Sequence, residues 1–250
     1  MPSTVNYDAV APAYDRRYET NRLDGVEAVL RRFIGKSECA DVAEVGCGTG
    51  HWLAKIRNLV RRAAGLDLSA EMLDRARIAA PDALVVRGRA EQLPWTTGRF
   101  DLLYCVNALH HFGNVEAFLA EARRVLRPHG AFMTIGLDPH TNLDTWWIYD
   151  YFPTARQADR GRYLPTSTIR GQLEAHGFMD AATTVAHHVS ASVPFATALE
   201  RGMVDRCAAS QFMVVSDTAY EEGLRRLRAE QPVLHADLRL YVTFARALSS

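Results

Sequence analysis

Asp41-Val42-Ala43-Glu44-Val45-Gly46-Cys47-Gly48-Thr49-Gly50 decides how this chain is read. The run begins as a mostly apolar strand and goes straight into a turn holding three glycines. With no β-carbon at Gly46, Gly48 and Gly50, the backbone can bend sharply and a ligand can approach it closely. Trp52, Leu53, Ile56, Leu59 and Val60 then recur at helical spacing. Strand, glycine turn and helix together make a place where a nucleotide-like ligand lies across the turn, with its polar end near free N–H groups at the helix start. A dinucleotide fingerprint requires G-x-G-x-x-G, whose third glycine packs helix against strand. Here His51 occupies that third position and the glycine falls one residue earlier, giving G-x-G-x-G.

The pattern repeats outward from this point. Arg62-Ala63-Ala64-Gly65-Leu66-Asp67 forms a second strand ending in a carboxylate, a side chain able to accept from both hydroxyls of a ribose. Ser69 is placed to cap the helix that follows, with Glu71 in its first turn and Pro81 beyond its end. A third strand, 83–87, leads into Gly88-Arg89-Ala90-Glu91-Gln92-Leu93-Pro94-Trp95. A fourth, 100–106, leads into Asn107-Ala108-Leu109-His110-His111-Phe112. A helix with Val115, Phe118, Leu119, Ala122, Val125 and Leu126 on one face precedes Arg127-Pro128-His129-Gly130 and a fifth strand at 131–137. Strands alternating with helices predict a parallel sheet covered on both faces.

In this order the blocks resemble the motif series of the class I S-adenosylmethionine-dependent methyltransferases, in their small-molecule (methyltransferase type 11-like) branch. Glu44 with the three glycines matches motif I. The 88–95, 100–111 and 127–130 stretches are similar to the later motifs, and Tyr7-Asp8-Ala9-Val10-Ala11-Pro12-Ala13-Tyr14-Asp15 to the lead-in that folds over the cofactor. The likeness is close over 7–137 and weak beyond. It implies a doubly wound, Rossmann-like α/β fold of seven strands with the last antiparallel. The implied cofactor is S-adenosyl-L-methionine, leaving as S-adenosyl-L-homocysteine. The residues expected to hold it are Tyr14, Glu44, Gly46, Cys47, Gly48, Gly50, Asp67, Leu68, Met72, Ala90, Glu91, Cys105 and Val106. Of these, Asp67 takes the ribose, Leu68, Met72, Ala90 and Glu91 border the adenine, and Cys105 and Val106 present backbone beside the sulfonium. Arg89 departs from the family's aspartate, and arginine offers no acceptor to the adenine amine. His129 stands where the family has a glycine.

The second half reads as the specificity region. Residues 138–165 are too long for an ordinary connection and carry Trp146, Trp147, Tyr149, Tyr151 and Phe152, then Arg156, Arg160, Arg162 and Tyr163. A helix at 166–176, capped by Thr166 or Ser167 and ended by Gly177, returns the chain to the core through 191. Strands at 180–189 and 238–246 complete the sheet. Residues 192–237 interrupt them and hold a helix near 217–229 with Thr218-x-x-Glu221 as its capping box. The expected organisation is a core at 1–137, cap insertions at 138–165 and 192–237, the core return at 166–191 and the last strand at 238–250. A helical cap over the strand ends would place Trp146, Trp147, Tyr149 and Arg162 against the substrate.

Methyl transfer asks for alignment before it asks for a base. Orientation supplies roughly 7–11 kcal/mol, a positioned base roughly 3–5 kcal/mol. His111, His140 and Tyr14 are the candidate catalytic groups. The expected acceptor is O, N or C of a small metabolite. Formal charge is zero, with 29 basic and 29 acidic side chains, and no basic run exists, which counts against nucleic acid. Cys39, Cys47, Cys105 and Cys207 share no C-x-x-C spacing, so neither zinc nor a disulfide framework is expected. No signal-like N-terminus or membrane-length apolar run is present, so a cytoplasmic protein, monomer or homodimer, with no membrane partner is expected. Two alternatives stay beside the enzyme reading: a non-catalytic S-adenosylmethionine-binding protein, and a nicotinamide-dependent oxidoreductase.

Overall fold

The structure, a computed structural model, describes residues 7–20, 22–37 and 40–249. Cys39 lies outside them. Five strands, β1 (Asp41–Val45), β2 (Arg62–Asp67), β3 (Leu84–Arg87), β4 (Phe100–Val106) and β5 (Leu126–Leu137), pair in parallel in the order β3-β2-β1-β4-β5. β5 joins β4 in continuous register only from Ala131; a break follows Phe100, which faces Leu126. An antiparallel hairpin of β7 (Phe178–Pro194) and β8 (Val233–Ala247) closes the sheet, with β8 against β5. These are the seven strands of the sequence reading. An eighth, β6 (Thr145–Trp146), pairs with the far end of β8 at Asp237 and Ala236. Both hairpin strands run several residues beyond the predicted 180–189 and 238–246, because their antiparallel pairing continues past the sheet into the cap.

Alternation along the strands sorts two cores. Val42, Leu102, Tyr104, Met133 and Ile135 face one side, where α3 (Asp24–Ser37) packs Val26, Leu30 and Ile34, and α4 (His51–Ile56) packs Trp52 and Ile56. Ala43, Val45, Leu103, Cys105 and Phe132 face the other. There α6 (Val115–Val125) inserts Phe118, Leu119, Ala122 and Val125, and α9 (Thr166–Ala175) inserts Ile169 and Leu173. Burying each such leucine or phenylalanine is worth about 1.5–3 kcal/mol. Between α4 and α6, α5 (Ala70–Ala79) covers β2 and β3. Ahead of α3, the short helices α1 (Tyr7–Val10) and α2 (Arg16–Thr20) carry the N-terminal segment.

The caps follow the local rules in part. Ser69 accepts from Met72 N as predicted. The helix α12 (Asp217–Glu230) is capped by Ser216, which accepts from Ala219 N, in place of the predicted box at Thr218. At the start of α9 neither Thr166 nor Ser167 caps: Thr166 N donates to the Asp138 carboxylate, 2.8 Å away, so the cap comes from 28 residues upstream.

Residues 145–162 and 195–230 meet in a third hydrophobic cluster. Trp147, Ile148 and Tyr149 of α7 (Trp147–Tyr151), with Phe152 and Ala155 at the start of α8 (Pro153–Arg162), pack against Phe195 and Ala198 of α10 (Phe195–Glu200), Phe212 of α11 (Ser210–Met213) and Tyr220, Leu224 and Leu227 of α12. Its centre is Phe152, with ring centroids 5.0 Å from Phe212 and 5.9 Å from Tyr220. Among the described residues, no helix is long and apolar enough to cross a membrane.

Candidate active site

A cleft of about 880 Å³ opens at the carboxyl ends of β1, β2 and β4, the usual ligand position of an open α/β sheet. The glycine turn forms its floor, and the three glycines do different work. Gly48, at φ +51°, faces open space, with Tyr14 3.9 Å from where a β-carbon would stand. Gly50, at φ +78°, serves packing: a β-carbon there would come within 2.9 Å of the Ala76 backbone in α5. Gly46 also lines the cleft. Gly50 therefore performs the helix-packing task of a dinucleotide motif's third glycine, one residue early and toward a different helix.

Asp67 holds this floor. One carboxylate oxygen accepts from Gly48 N at 2.8 Å and the other from Ser69 N at 2.9 Å. Burial raises its pKa above the ordinary carboxylate value, against the pull of these backbone donors. Each oxygen keeps a second lone pair for a ligand. Leu68, Met72, Ala90 and Val106 line the same cleft, as does Tyr14.

Of the other expected residues, Glu91 lines the cleft, whereas Glu44, Cys47 and Cys105 do not, the two cysteines having been expected to contribute backbone only. Glu44 is sealed beneath the turn, accepting from the Tyr104 hydroxyl at 3.1 Å, and burial pushes its carboxyl well above the usual range. The Cys47 side chain packs by Gly65 and lines no part of the cleft. Cys105 is fully buried, its thiol directed at Thr134 Oγ1. Glu91 lines the cleft, but one oxygen accepts from Gly113 N and Asn114 N, while the other stands 3.4 Å from Arg89. The family's missing aspartate at 89 is thus replaced by an ion pair at the rim. Sequence reasoning omitted Tyr7, Asn107, Ala108, Phe112 and Gly113 from this lining. For Asn107 a signal existed: asparagine directly after a strand tolerates the left-handed backbone, and its φ is +50°.

The N-terminal segment is tied down at three points. Ser69 Oγ donates to Asp8, Thr49 Oγ1 donates to Asp15 at 2.5 Å, and the Tyr7 hydroxyl shares a 2.5 Å hydrogen bond with His111 Nε2. Burial, then the charges of Arg162 and Arg17, lower the His111 pKa to about 3, so the ring is neutral at physiological pH. His51 stacks on Tyr18 with centroids 3.7 Å apart.

Tyr7, Tyr14, Asn107 and His111 also line a second chamber of about 910 Å³. Arg17, Tyr18, His110, Trp146, Tyr163 and residues 208–211 contribute to its walls. Of the expected substrate residues only Trp146 reaches this chamber. Trp147 and Tyr149 are spent on the cap's own core, and the Tyr149 hydroxyl donates to Asp159 at 2.6 Å. Arg162 is held by the same carboxylate and by Ser210, and lines a neighbouring cavity of about 620 Å³. His140 lines neither chamber; its Nε2 is bonded to the Tyr163 carbonyl at 2.9 Å.

A doubly wound sheet with a glycine-floored, acid-edged cleft at its strand ends, opening onto a capped chamber, defines a Rossmann-like α/β protein. A family model described as a methyltransferase domain matches residues 43–134. An uncharacterized methyltransferase of Synechocystis sp. is 30% identical over 152 residues, covering 60% of this chain and 70% of that protein. A malonyl-[acyl-carrier protein] O-methyltransferase of Erwinia billingiae is 28% identical, covering 71% and 76%. The solved structure of phosphoethanolamine N-methyltransferase 2 from Haemonchus contortus, in complex with S-adenosyl-L-methionine, shares the fold with a TM-score of 0.64. It is 16% identical and covers 97% of this chain and 57% of that one. The chain belongs to the class I S-adenosylmethionine-dependent methyltransferases.

Proposed function

We propose that this protein binds S-adenosyl-L-methionine in the cleft and moves its methyl group to an O, N or C atom of a small molecule seated in the second chamber. One observation carries the reading: the two chambers meet at Tyr7, Tyr14, Asn107 and His111, so ligands in each would abut. The cleft fits the cofactor's chemistry. Gly48 leaves room for close approach, Asp67 retains acceptor capacity for two hydroxyls, and Leu68, Met72 and Ala90 offer apolar surface to an adenine. When bound, the cofactor supplies a methyl group on a positively charged sulfur.

This chain's own part is alignment and the exclusion of water. Tyr14 reaches over the glycine turn, and the Asp8 and Asp15 contacts hold the N-terminal segment across the opening. Orientation of this kind accounts for roughly 7–11 kcal/mol of barrier lowering. His111 contributes a neutral, oriented ring; with its pKa at about 3 it is a poor proton acceptor at neutral pH. His140 has no part in the reaction, and Tyr14 acts through its ring. A monomer or homodimer in the cytoplasm, acting without nucleic acid, completes the reading.

Calorimetric titration with S-adenosylmethionine and S-adenosylhomocysteine tests it, with reduced nicotinamide cofactor as the control. Micromolar binding of the first two alone is expected. Failure of both to bind would refute the assignment.

A further inference from the structure

We propose that the cavity of about 620 Å³ beside the second chamber is a subsite for the remote end of the methyl acceptor, and that it selects a neutral oxygen, such as a ketone or amide carbonyl, through Arg162, Tyr241 and His110. This rests on the methyltransferase reading and narrows the acceptor it leaves open.

Three segments far apart in sequence meet around this cavity. His110 comes from the turn after β4, Arg162 from the end of α8 and Tyr241 from β8. Each carries a buried polar atom with no hydrogen-bond partner among the described residues: His110 Nε2, Arg162 Nη1 and the Tyr241 hydroxyl. The rest of the Arg162 guanidinium is engaged. Its Nε and Nη2 donate to Asp159 at 2.9 and 2.7 Å, and Nη2 donates to Ser210 as well. The side chain is only 10% exposed, so Nη1 is held in place with its N–H groups unspent. Unmatched buried polar atoms are costly, and native folds keep few of them. Three in the lining of one cavity mark a place where a ligand completes the bonding. The remaining wall is largely apolar, with Leu109, Phe112, Val115, Ile135, Leu164 and Ile169, the usual make-up of a small-molecule site.

Electrostatics decides which ligand atom fits. Among the described lining residues Arg162 is the one side chain with a formal charge, and the fully buried Asp159 already balances it. Burial, reinforced by His111 and Arg162, holds His110 well below the ordinary imidazole value, so its ring is neutral. An entering carboxylate would leave a net negative charge buried without its own counter-ion. An ammonium would bring donors to a nitrogen that can only donate. A carbonyl oxygen, with two lone pairs and no charge, suits a guanidinium N–H and a phenol O–H. Position ties the cavity to the reaction. His110, Tyr163 and Leu137 line both it and the second chamber, while Ala108 and Phe112 line both it and the cofactor cleft. The His110 and Tyr163 rings stack with centroids 3.9 Å apart. An acceptor reacting beside His111 therefore has the subsite one residue along the same turn, and the carbonyl is a recognition group distinct from the atom that takes the methyl.

The test titrates acetophenone, α-methylstyrene and benzoate into the full chain loaded with S-adenosylhomocysteine, using ligand-observed nuclear magnetic resonance, with wild type, Tyr241→Phe and Arg162→Lys. The probes share one shape: α-methylstyrene replaces the carbonyl oxygen by CH2, and benzoate carries a carboxylate in place of the ketone. Tyr241 and Arg162 line this cavity and neither of the other two chambers, so the variants report on this site. Wild type is expected to bind acetophenone at least fivefold more tightly than benzoate. Each variant should weaken acetophenone at least fivefold and change α-methylstyrene less than twofold. Tyr241→Phe removes no hydrogen bond within the described residues, so its unfolding midpoint should not fall. No measurable acetophenone binding overturns the proposal, as does benzoate binding as tightly or a lowered Tyr241→Phe midpoint. So do equal losses for acetophenone and α-methylstyrene, or an unchanged acetophenone affinity in either folded variant, the result for a cavity that holds only water. Should Arg162→Lys fail to fold, Tyr241→Phe alone decides. The prior titration with S-adenosylhomocysteine reports separately on the cofactor reading, and the probe series is repeated without it, so that the two failures are distinguishable.

Discussion

Replacing Asp67 by alanine removes two things at once, and the structure separates them. The carboxylate braces the turn through Gly48 N and Ser69 N, at 2.8 and 2.9 Å. It also presents its remaining lone pairs to the cleft, where a ribose would need them. Hydrogen bonds to a charged group contribute about 1.5–3 kcal/mol each. Loss of one such bond to ligand predicts S-adenosylhomocysteine binding weakened roughly 10- to 150-fold. Loss of the brace predicts a lower unfolding midpoint in the free protein. The assay is calorimetry on the wild type, Asp67→Ala and Asp67→Asn, with thermal unfolding recorded on the same samples. The wild-type affinity should also fall as pH drops through the raised Asp67 pKa, since the protonated acid loses acceptor capacity; Asp67→Asn should not show that decline. An affinity within twofold of wild type in Asp67→Ala, alongside a lowered unfolding midpoint, would show that Asp67 is only a brace.

Gly50→Ala should destabilise the fold by about 2–4 kcal/mol in urea unfolding, because it combines a left-handed residue with a β-carbon 2.9 Å from the Ala76 backbone. Asp41 is fully buried among Arg61, Arg62, Arg99 and Arg127, with contacts of 2.6–3.1 Å. Asp41→Asn should cost about 2–4 kcal/mol, below the full penalty for breaking a buried pair because the guanidiniums are part-exposed. The Arg62 hydrogen bond leads the interactions that lower the Asp41 pKa; its contribution is therefore present above the unfolded carboxylate value of about 4 and lost as pH falls below it, a loss the variant should lack. His111 behaves in the same direction for a different reason. The unfolded chain takes up a proton near pH 6.5 that the fold refuses until about 3, so stability declines as pH falls through that window. His111→Asn should flatten the decline in denaturation midpoints between those two values.

Much of the core was legible because its signals are local. The β1 run, the glycine turn, the Ser69 cap and the apolar stripe of α6 each lie within about a dozen residues, and such patterns state their own periodicity. The Asp138 cap on α9 was not legible, since its acceptor comes from another segment. The cap aromatics show the same limit. Trp146 and Trp147 are neighbours of one type, yet one lines the second chamber and the other is consumed by the cluster around Phe152.

What the sequence alone determined was the alternating strand–helix framework, the family, and the cleft floor of Gly46, Gly48 and Asp67. Adjacent residues in one strand and turn cannot avoid each other, so their pattern is already geometry. Only the tertiary structure decided that Tyr7 meets His111 across 104 residues, that Glu44 and Cys105 turn inward, and that Arg17 joins the wall of the second chamber. Those outcomes depend on how the N-terminal segment and the cap pack onto the strand ends. Packing sums many weak contacts between distant segments, and no local stretch of chain contains that sum.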